Sequence, residues 1–293
     1  MIDINKALNL KWWSQVARQI EFWLVVLFVG LGALNLTIIE KAHSENLFSL
    51  ALLMWLTLFS VLWDRREALT FKSNLFSSVF GAVLLVLILL RNIEGTNDFS
   101  MRLLPFVGTI STVLMASGIK SLKKYWREIV ISGLLIYAKL VAVFLQSINL
   151  SMLTAKFSNA FLYIIGFEAY RDGVFVTLPQ GRIQVLGACS GEESVILMLS
   201  VAFLFFFLVP ISHVQKVISL TLAALIGFLI NVVRITLLAI FVNAGDRQGF
   251  DYWHGEDGSL SFAIVSVCLF GAFCWFAYVR NLGKEPAPVK KVK

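Results

Sequence analysis

The sequence predicts an all-α integral membrane protein with about eight transmembrane helices in a single domain. Of its 293 residues, 58% are hydrophobic, and the mean hydropathy is +0.82. A bilayer span needs about 20 apolar residues, with a lower limit of about 17. Seven stretches of this length contain no Asp, Glu, Lys or Arg, and an eighth contains only Lys139. The predicted spans are residues 22–39, 47–63, 73–90, 103–119, 129–148, 194–212, 217–233 and 258–279.

The distribution of positive charge predicts how these spans are oriented. A net charge of +7 could indicate nucleic acid or a lipid surface as a partner, but the charges follow the predicted loops. With the N-terminus in the cytoplasm, the cytoplasmic segments hold 16 of the 25 lysines and arginines, and the outer segments hold 7. This positive-inside pattern predicts that both termini are in the cytoplasm, so that the positive charge does not require a nucleic acid partner. The expected location is the plasma (inner) membrane.

Residues 1–18 are predicted to form a cytoplasmic arm, residues 19–280 the membrane domain, and residues 281–293 a basic cytoplasmic tail. No cleavage site of small residues is evident, so the first span is expected to stay as an anchor. The first five spans contain few residues that could be chemically active. Lys139 is an exception, and a lysine that reaches toward the interface or pairs with a neighbouring helix is the favoured explanation for it.

Between the fifth and sixth spans, residues 151–193 are predicted to form an outer, extracytoplasmic segment. Residues 151–166 are apolar but short, and they carry several polar side chains, which predicts an interfacial or re-entrant helix. Residues 173–179 and 182–186 have the composition and alternation of strands on either side of a glycine turn. The sequence therefore predicts a small hairpin that leads into the sixth span.

The start of the sixth span carries the first candidate for chemistry, in the stretch Gly187-Ala-Cys-Ser-Gly-Glu-Glu-Ser194. Ser190, with Glu193 three positions later, predicts a capping box. Cys189 would then lie just before a helix N-terminus, whose free amides and dipole would lower the pKa of its thiol. Glu192 and Glu193 act in the opposite direction, because nearby carboxylates raise a thiol pKa.

Arg234 lies in apolar sequence of the seventh span, Ile230-Asn-Val-Val-Arg-Ile-Thr-Leu-Leu238. Burying an arginine in a bilayer costs at least about 2.5–3.5 kcal/mol on insertion scales, and arginine stays charged there. Arg234 must therefore face a polar interior, and Asn231, three residues earlier, shares its helical face. This helix alone favours a structural and a functional arginine about equally.

His254 lies in the predicted outer loop that follows, within Gly249-Phe-Asp-Tyr-Trp-His-Gly-Glu-Asp-Gly258. A single loop histidine is usually just solvated, but here the aromatic neighbours indicate the headgroup region. No His or Cys pair has a metal-ligand spacing, so no metal and no cofactor are expected. A thiol, an imidazole and a guanidinium together could perform acyl transfer, with roles as nucleophile, proton shuttle and oxyanion stabiliser.

Three motifs follow one another in the second half of the sequence. They are Ala188-Cys-Ser-Gly191 with its lead-in Gly181-Arg-Ile-Gln-Val185, then Asn231-Val-Val-Arg-Ile235, then His254-Gly-Glu-Asp-Gly258. In this order they resemble the motifs of the exosortase/archaeosortase family of membrane-embedded cysteine transpeptidases. Residues 162–173 resemble the family's segment before the cysteine, whereas the first five spans match only in being hydrophobic. Glu192 and Glu193 depart from the less acidic run expected there, and the length suits a cyanobacterial-type exosortase.

The resemblance implies a function and a role for individual residues. The substrates would be exported proteins whose C-terminal tail has a short motif (Pro-Glu-Pro in the exosortase branch), a hydrophobic span and a basic end. The enzyme would cleave this tail at the outer face of the membrane, within membrane lipid, and transfer the protein to an acceptor. The implied residues are Cys189 as nucleophile, Arg234 as stabiliser of the oxyanion or thiolate, His254 as general acid/base, Asn231 and Ser190 as supporting residues, and Tyr170, Arg171 and Arg182 as candidates for substrate binding.

Two other classes of function stay open from the residues alone. A polytopic transporter or channel would line an anion path with Arg234 and Lys139 and would not need Cys189. In a scaffold subunit of a polysaccharide-export complex, Cys189, Arg234 and His254 would all be incidental. Replacing Cys189 by serine distinguishes the classes, because only a thiol-dependent enzyme should lose its activity.

Overall fold

The computed structural model describes residues 20–69, 71–93 and 97–281, which are mainly helical. The prediction of a mostly helical membrane protein is confirmed. The chain divides into two compact units between Tyr137 and Ala138. The predicted cytoplasmic arm and all but the first residue of the predicted tail lie outside the described residues.

The first unit is a set of packed helices, two of which begin at a side-chain cap. Asn74 accepts a hydrogen bond from the Ser77 N–H, and Asn97 accepts from two amides at the start of its helix, so both helices begin where the sequence offers an Asn cap. Trp55 is fully buried among them and donates to the Asn35 side chain at 3.1 Å. The helices of this unit are α1 (Ile20–Lys41), α2 (Glu45–Asp64), α3 (Leu75–Arg91), α4 (Asp98–Ser117), α5 (Trp126–Ser132) and the start of α6 (Leu134–Gln146).

The described residues of the second unit form five further α-helices, the end of α6, two short 3₁₀ turns and one small sheet. Its longest helix begins at a capping box in which Ser212 and Gln215 bond reciprocally, and it ends at Gly245, which has a left-handed φ of 69°. The elements are α7 (Leu150–Ile164), β1 (Tyr170–Asp172), β2 (Phe175–Leu178), β3 (Gly181–Gln184), α8 (Glu192–Leu208), α9 (His213–Ala244), α10 (Arg247–His254) and α11 (Glu256–Ala277).

The sheet is antiparallel with the order β1-β2-β3. β2 and β3 lie where the sequence predicts two strands, whereas β1 is only three residues long and has no alternation that would have identified it. One face of the sheet packs against α7 and α9, where Val176, Leu178 and Val185 join Leu162 and Ile235 in a buried core. This packing fixes the sheet beside the C-terminal half of α9.

Among the described residues, five helices are long and apolar enough to cross a membrane, namely α1, α2, α4, α9 and α11. The pair α5 and α6, bent by 49° at their junction, would count as a sixth span. The other two predicted spans correspond to α3 and α8, which have 17 residues each and therefore rise about 26 Å. That is slightly less than the roughly 30 Å of a hydrocarbon core, so the number eight stays a prediction.

Candidate active site

Cys189 is the last residue of a single 3₁₀ turn, Gly187–Cys189, which connects the sheet to α8. The Cys189 N–H donates to the Leu186 carbonyl at 2.9 Å, and the Ser190 N–H donates to the Gly187 carbonyl at 3.1 Å. The Ser190 hydroxyl also donates to the Gly187 carbonyl, at 2.7 Å. This hydrogen-bonded stretch, residues 187–191, is called the nucleophile turn below.

The predicted capping box of Ser190 and Glu193 is wrong. The N-cap of α8 is Gly191, which makes no side-chain cap, and the helix begins at Glu192. The Ser190 hydroxyl accepts from the Glu192 N–H at 3.3 Å, but the serine belongs to the preceding turn. The reason is the backbone of Gly191, whose φ of +89° lies in the left-handed region and separates the 3₁₀ turn from the helix.

Two neighbouring helices hold the nucleophile turn through consecutive carbonyls. From α9, the Asn231 amide donates to the Cys189 carbonyl at 3.1 Å. From α7, the buried Thr154 hydroxyl donates to the Ser190 carbonyl at 2.7 Å. Asn231, a supporting residue in the sequence prediction, thus contacts the backbone of the cysteine itself. A Cβ on Gly191 would lie 2.8 Å from the Asn231 amide nitrogen, so this close approach requires glycine.

His254 faces Cys189 from the end of α10. Its Nε2 lies 3.6 Å from the Cys189 Sγ, which is within hydrogen-bonding distance for sulfur. The imidazole stacks on the ring of Phe250, one helical turn earlier, with centroids 5.2 Å apart and planes at 11°. α10 is itself capped by Asp246, which accepts from the Gly249 N–H at 2.8 Å. The helix cap and the aromatic stack together orient the imidazole toward the thiol.

Arg234 binds the backbone of the histidine and not its ring. Its Nε donates to the Trp253 carbonyl at 3.3 Å, and its Nη2 donates to the His254 carbonyl at 2.8 Å. These are the last carbonyls of α10, where unpaired acceptors and the negative end of the helix dipole favour a cation. The start of α11 packs closely against the same end of α10, since a Cβ on Gly258 would lie 2.5 Å from the Trp253 Cα. The guanidinium thereby fixes the segment that carries His254.

The pKa of the Cys189 thiol is raised above its ordinary value, and partial burial is the main cause. The positive charge of Arg234 opposes this shift, while the negative charge of Glu193 adds to it. Of the opposing influences expected from the sequence, neither is the largest, because loss of solvent around the turn outweighs the nearby cation. The imidazole of His254 is within hydrogen-bonding distance of this thiol.

A cavity of about 210 Å³ opens beside the thiol and the imidazole. It is smaller than the roughly 300–1,000 Å³ of ordinary ligand pockets, so it would admit only a small part of a peptide substrate. Its wall combines apolar side chains with the polar groups of Arg182, Gln184 and His254. The wall consists of β3 and its continuation at residues 182–185, Ile235, Leu238 and Val242 of α9, Phe250 and His254 of α10, and Cys189.

A family model described as transmembrane exosortase matches residues 42–271. The chain belongs to the transmembrane exosortase family. The matched region covers more than half of the chain and includes Cys189, Arg234 and His254. No curated protein and no solved structure matches the chain. Membership supports a membrane transpeptidase role in general.

The three candidates for substrate binding lie at different places in this exosortase. Arg182 lines the cavity, with its guanidinium carbon 3.7 Å from the centre of the Phe175 ring. Tyr170 is exposed on β1 and does not contribute to the cavity wall. Arg171 donates to the Gly173 carbonyl at 2.7 Å, across the turn between β1 and β2, and is also outside the wall.

Two residues of the exosortase site were missed by sequence reasoning. Thr154 lies four residues before Ser158 on one face of α7, and both are fully buried, so a polar stripe on an apolar helix was the available signal. Phe250 precedes His254 by four residues, the spacing at which helical side chains meet. Within the described part of the chain, no group of three or more His, Cys, Asp or Glu side chains could hold a metal ion.

Proposed function

We propose that this exosortase is a membrane-embedded cysteine peptidase and transpeptidase. It cleaves the C-terminal sorting tail of exported proteins and transfers them to an acceptor. The observation that carries this proposal is the distance of 3.6 Å between the Cys189 Sγ and the His254 Nε2. A thiol within reach of an oriented imidazole is the arrangement that activates a cysteine nucleophile. Membership of the transmembrane exosortase family supports the same class of reaction.

The first half-reaction forms an acyl-enzyme. His254 takes the proton from the Cys189 thiol as the sulfur attacks the carbonyl carbon of the scissile peptide bond. The new C–S bond leaves a negative charge on the carbonyl oxygen, which the cationic Arg234 stabilises through N–H groups other than those that bind the two carbonyls. The C–N bond then breaks, and His254 gives its proton to the leaving amine.

The second half-reaction releases the protein from the enzyme. An acceptor nucleophile, either water or an amine or hydroxyl group, loses its proton to His254 and attacks the thioester carbonyl. The C–S bond breaks, and the thiolate of Cys189 takes the proton back from His254. Water as acceptor makes the protein a protease, whereas any other acceptor makes it a transpeptidase.

The proposed setting is the plasma membrane, with eight spans, both termini in the cytoplasm and the active site at the outer face. The positive-inside distribution of lysine and arginine supports this orientation. The count of eight requires α3 and α8 to cross the bilayer with 17 residues each, at the lower end of the range of spanning helices. The segment of residues 151–193 then lies outside and delivers Cys189, and Tyr170, Arg171 and Arg182 become accessible to an exported protein.

The test is C-terminal proteomics of membrane and surface fractions from cells that carry wild-type protein or the Cys189→Ala variant. We expect a set of exported proteins to keep a hydrophobic, basic-ended tail only in the variant. Cys268→Ala is the matched control, because Cys268 is an exposed cysteine on α11, and its loss should leave tail processing intact. Identical C-termini in wild type and Cys189→Ala would refute the proposal and favour a transporter or a scaffold subunit.

A further inference from the structure

β3 is an edge strand whose free edge lies beside the candidate active site. In the described part of the chain, the sheet order is β1-β2-β3, and no strand pairs with the outer edge of β3. Residues 182–185 form part of the cavity wall that also contains Cys189 and His254. An unpaired edge with free N–H and C=O groups is a ready-made template for another extended chain.

The register identifies which peptide groups face outward. The Val185 N–H donates to the Val174 carbonyl at 2.9 Å, so that this opposed pair belongs to the hydrogen-bonded set. Opposed pairs alternate between bonded and non-bonded along antiparallel strands. Gln184 opposite Phe175 is therefore a non-bonded pair, as is Arg182 opposite Thr177. Each of these two β3 residues points its N–H and its C=O away from β2, to the free edge.

We propose that the substrate binds as an additional strand along β3, through the main-chain groups of Arg182 and Gln184. This inference rests on the proposed function, because it takes the occupant to be the segment of an exported protein that precedes the scissile bond. The hydrophobic part of a sorting tail must satisfy its own backbone groups inside lipid and is therefore helical there. Only the segment outside the membrane can be extended, and it is the segment that becomes the acyl group on Cys189.

Strand addition explains how the site could hold a peptide with few side-chain pockets. Main-chain hydrogen bonds give affinity for any extended sequence, and pockets for alternate side chains add specificity. The neighbouring cavity of about 210 Å³ is large enough for only part of a chain. The Arg182 side chain lies over the Phe175 ring, and Arg182 and Gln184 are both exposed.

The test uses covalent probes that need no knowledge of the natural substrate. Acetyl-trialanine chloromethyl ketone and chloroacetone both alkylate a thiolate, with formation of a C–S bond and loss of chloride. We expect Cys189 of the full-length protein to react about 5- to 150-fold faster with the peptide reagent, the range for two added hydrogen bonds. The N-methylated trialanine reagent, which cannot pair as a strand, should lose this advantage. Peptide mass spectrometry reads the modification at Cys189 separately from the other cysteines.

A proline at the free edge tests the same contact from the protein side. Gln184→Pro removes an outward N–H and no hydrogen bond of the β2–β3 ladder, and proline is tolerated on edge strands in this position. The peptide advantage is the ratio of the alkylation rate with the peptide reagent to the rate with chloroacetone. We expect this ratio to fall roughly 2- to 10-fold, the range for one hydrogen bond. Gln184→Ala removes the side chain but keeps the N–H, so its advantage should exceed that of the proline variant. The reaction with chloroacetone shows whether each variant keeps a reactive thiol.

The outcomes separate this inference from the proposed function. If Cys189→Ala cells keep their tails but the peptide and N-methyl reagents react equally with wild type, the enzyme exists and strand addition is wrong. If tails are identical in both strains, the function fails, whatever the reagents do. A Gln184→Pro variant that retains the full peptide advantage would also overturn the assignment of this edge.

Discussion

The sharpest test of the geometry is the substitution Arg234→Lys. Lysine keeps the positive charge near Cys189 but presents a single ammonium group in place of a planar fork. It cannot reproduce both hydrogen bonds, to the Trp253 carbonyl at 3.3 Å and to the His254 carbonyl at 2.8 Å. A hydrogen bond to a charged group is worth about 1.5–3 kcal/mol. Loss of one bond from the segment that carries the catalytic imidazole corresponds to a decrease in cleavage rate of roughly 10- to 150-fold.

The assay is the first-order cleavage of a tail-bearing reporter protein in cells that express each variant at equal level. Arg247→Lys is the matched control, because Arg247 is an exposed arginine on α10, the short helix that carries His254. Its Nε lies 3.9 Å from the Asp251 carboxylate. Exposed pairs of this kind are worth about 0–1 kcal/mol, so its cleavage rate should stay within a few-fold of wild type. Thermal unfolding in detergent identifies any variant that is simply misfolded.

The result also separates two roles of the arginine. If Arg234 acts only through its charge on the thiol and the oxyanion, lysine should retain most of the activity. If it acts by fixing the end of α10, lysine should fail although the charge is present. A cleavage rate for Arg234→Lys equal to that of Arg247→Lys would refute the positioning argument.

Three further predictions concern the nucleophile turn. Thr154→Val removes a buried hydroxyl at nearly constant volume and leaves the Ser190 carbonyl without this hydrogen bond. The free energy of unfolding should fall by about 1–3 kcal/mol, which lowers the unfolding temperature, and the cleavage rate should fall as well. Thr154→Ser keeps a hydroxyl and should lose less. Glu193→Gln removes a charge that raises the pKa of the Cys189 thiol, so alkylation by iodoacetamide at neutral pH should become faster; an unchanged pH profile would contradict this. Gly191→Ala places a Cβ 2.8 Å from the Asn231 amide in a left-handed backbone that itself costs about 1–2 kcal/mol, so thermal stability should drop, and a stable, active variant would contradict the close approach.

Much of the helical architecture could be predicted because hydropathy reports it directly. Each predicted span contains a helix, although the break in the fifth and the shortness of α3 and α8 depend on packing and helix ends that composition does not encode. The charge-free stretch of the seventh predicted span ends at residue 233, because Arg234 interrupts it. α9 in fact continues to Ala244. The helix continues past Arg234 because the guanidinium donates to two carbonyls of α10. Such a tertiary contact cannot be read from the local sequence.

The candidate site was predictable in its members and unpredictable in its electrostatics. The order of motifs identified a thiol, a guanidinium and an imidazole as candidates, and the structure brings Cys189 to His254 with Arg234 on the histidine backbone. The sign of the thiol pKa shift depends on how much water the turn loses to α7 and α9, and those helices lie far from it in sequence. The start of an isolated helix favours an anion and would lower a thiol pKa. Here the turn that carries Cys189 is partly buried, and the loss of solvent raises the thiol pKa instead. His254 is the proposed proton acceptor, so the residues that contact it, Phe250 and Arg234, are expected to matter as much as the charge around the sulfur.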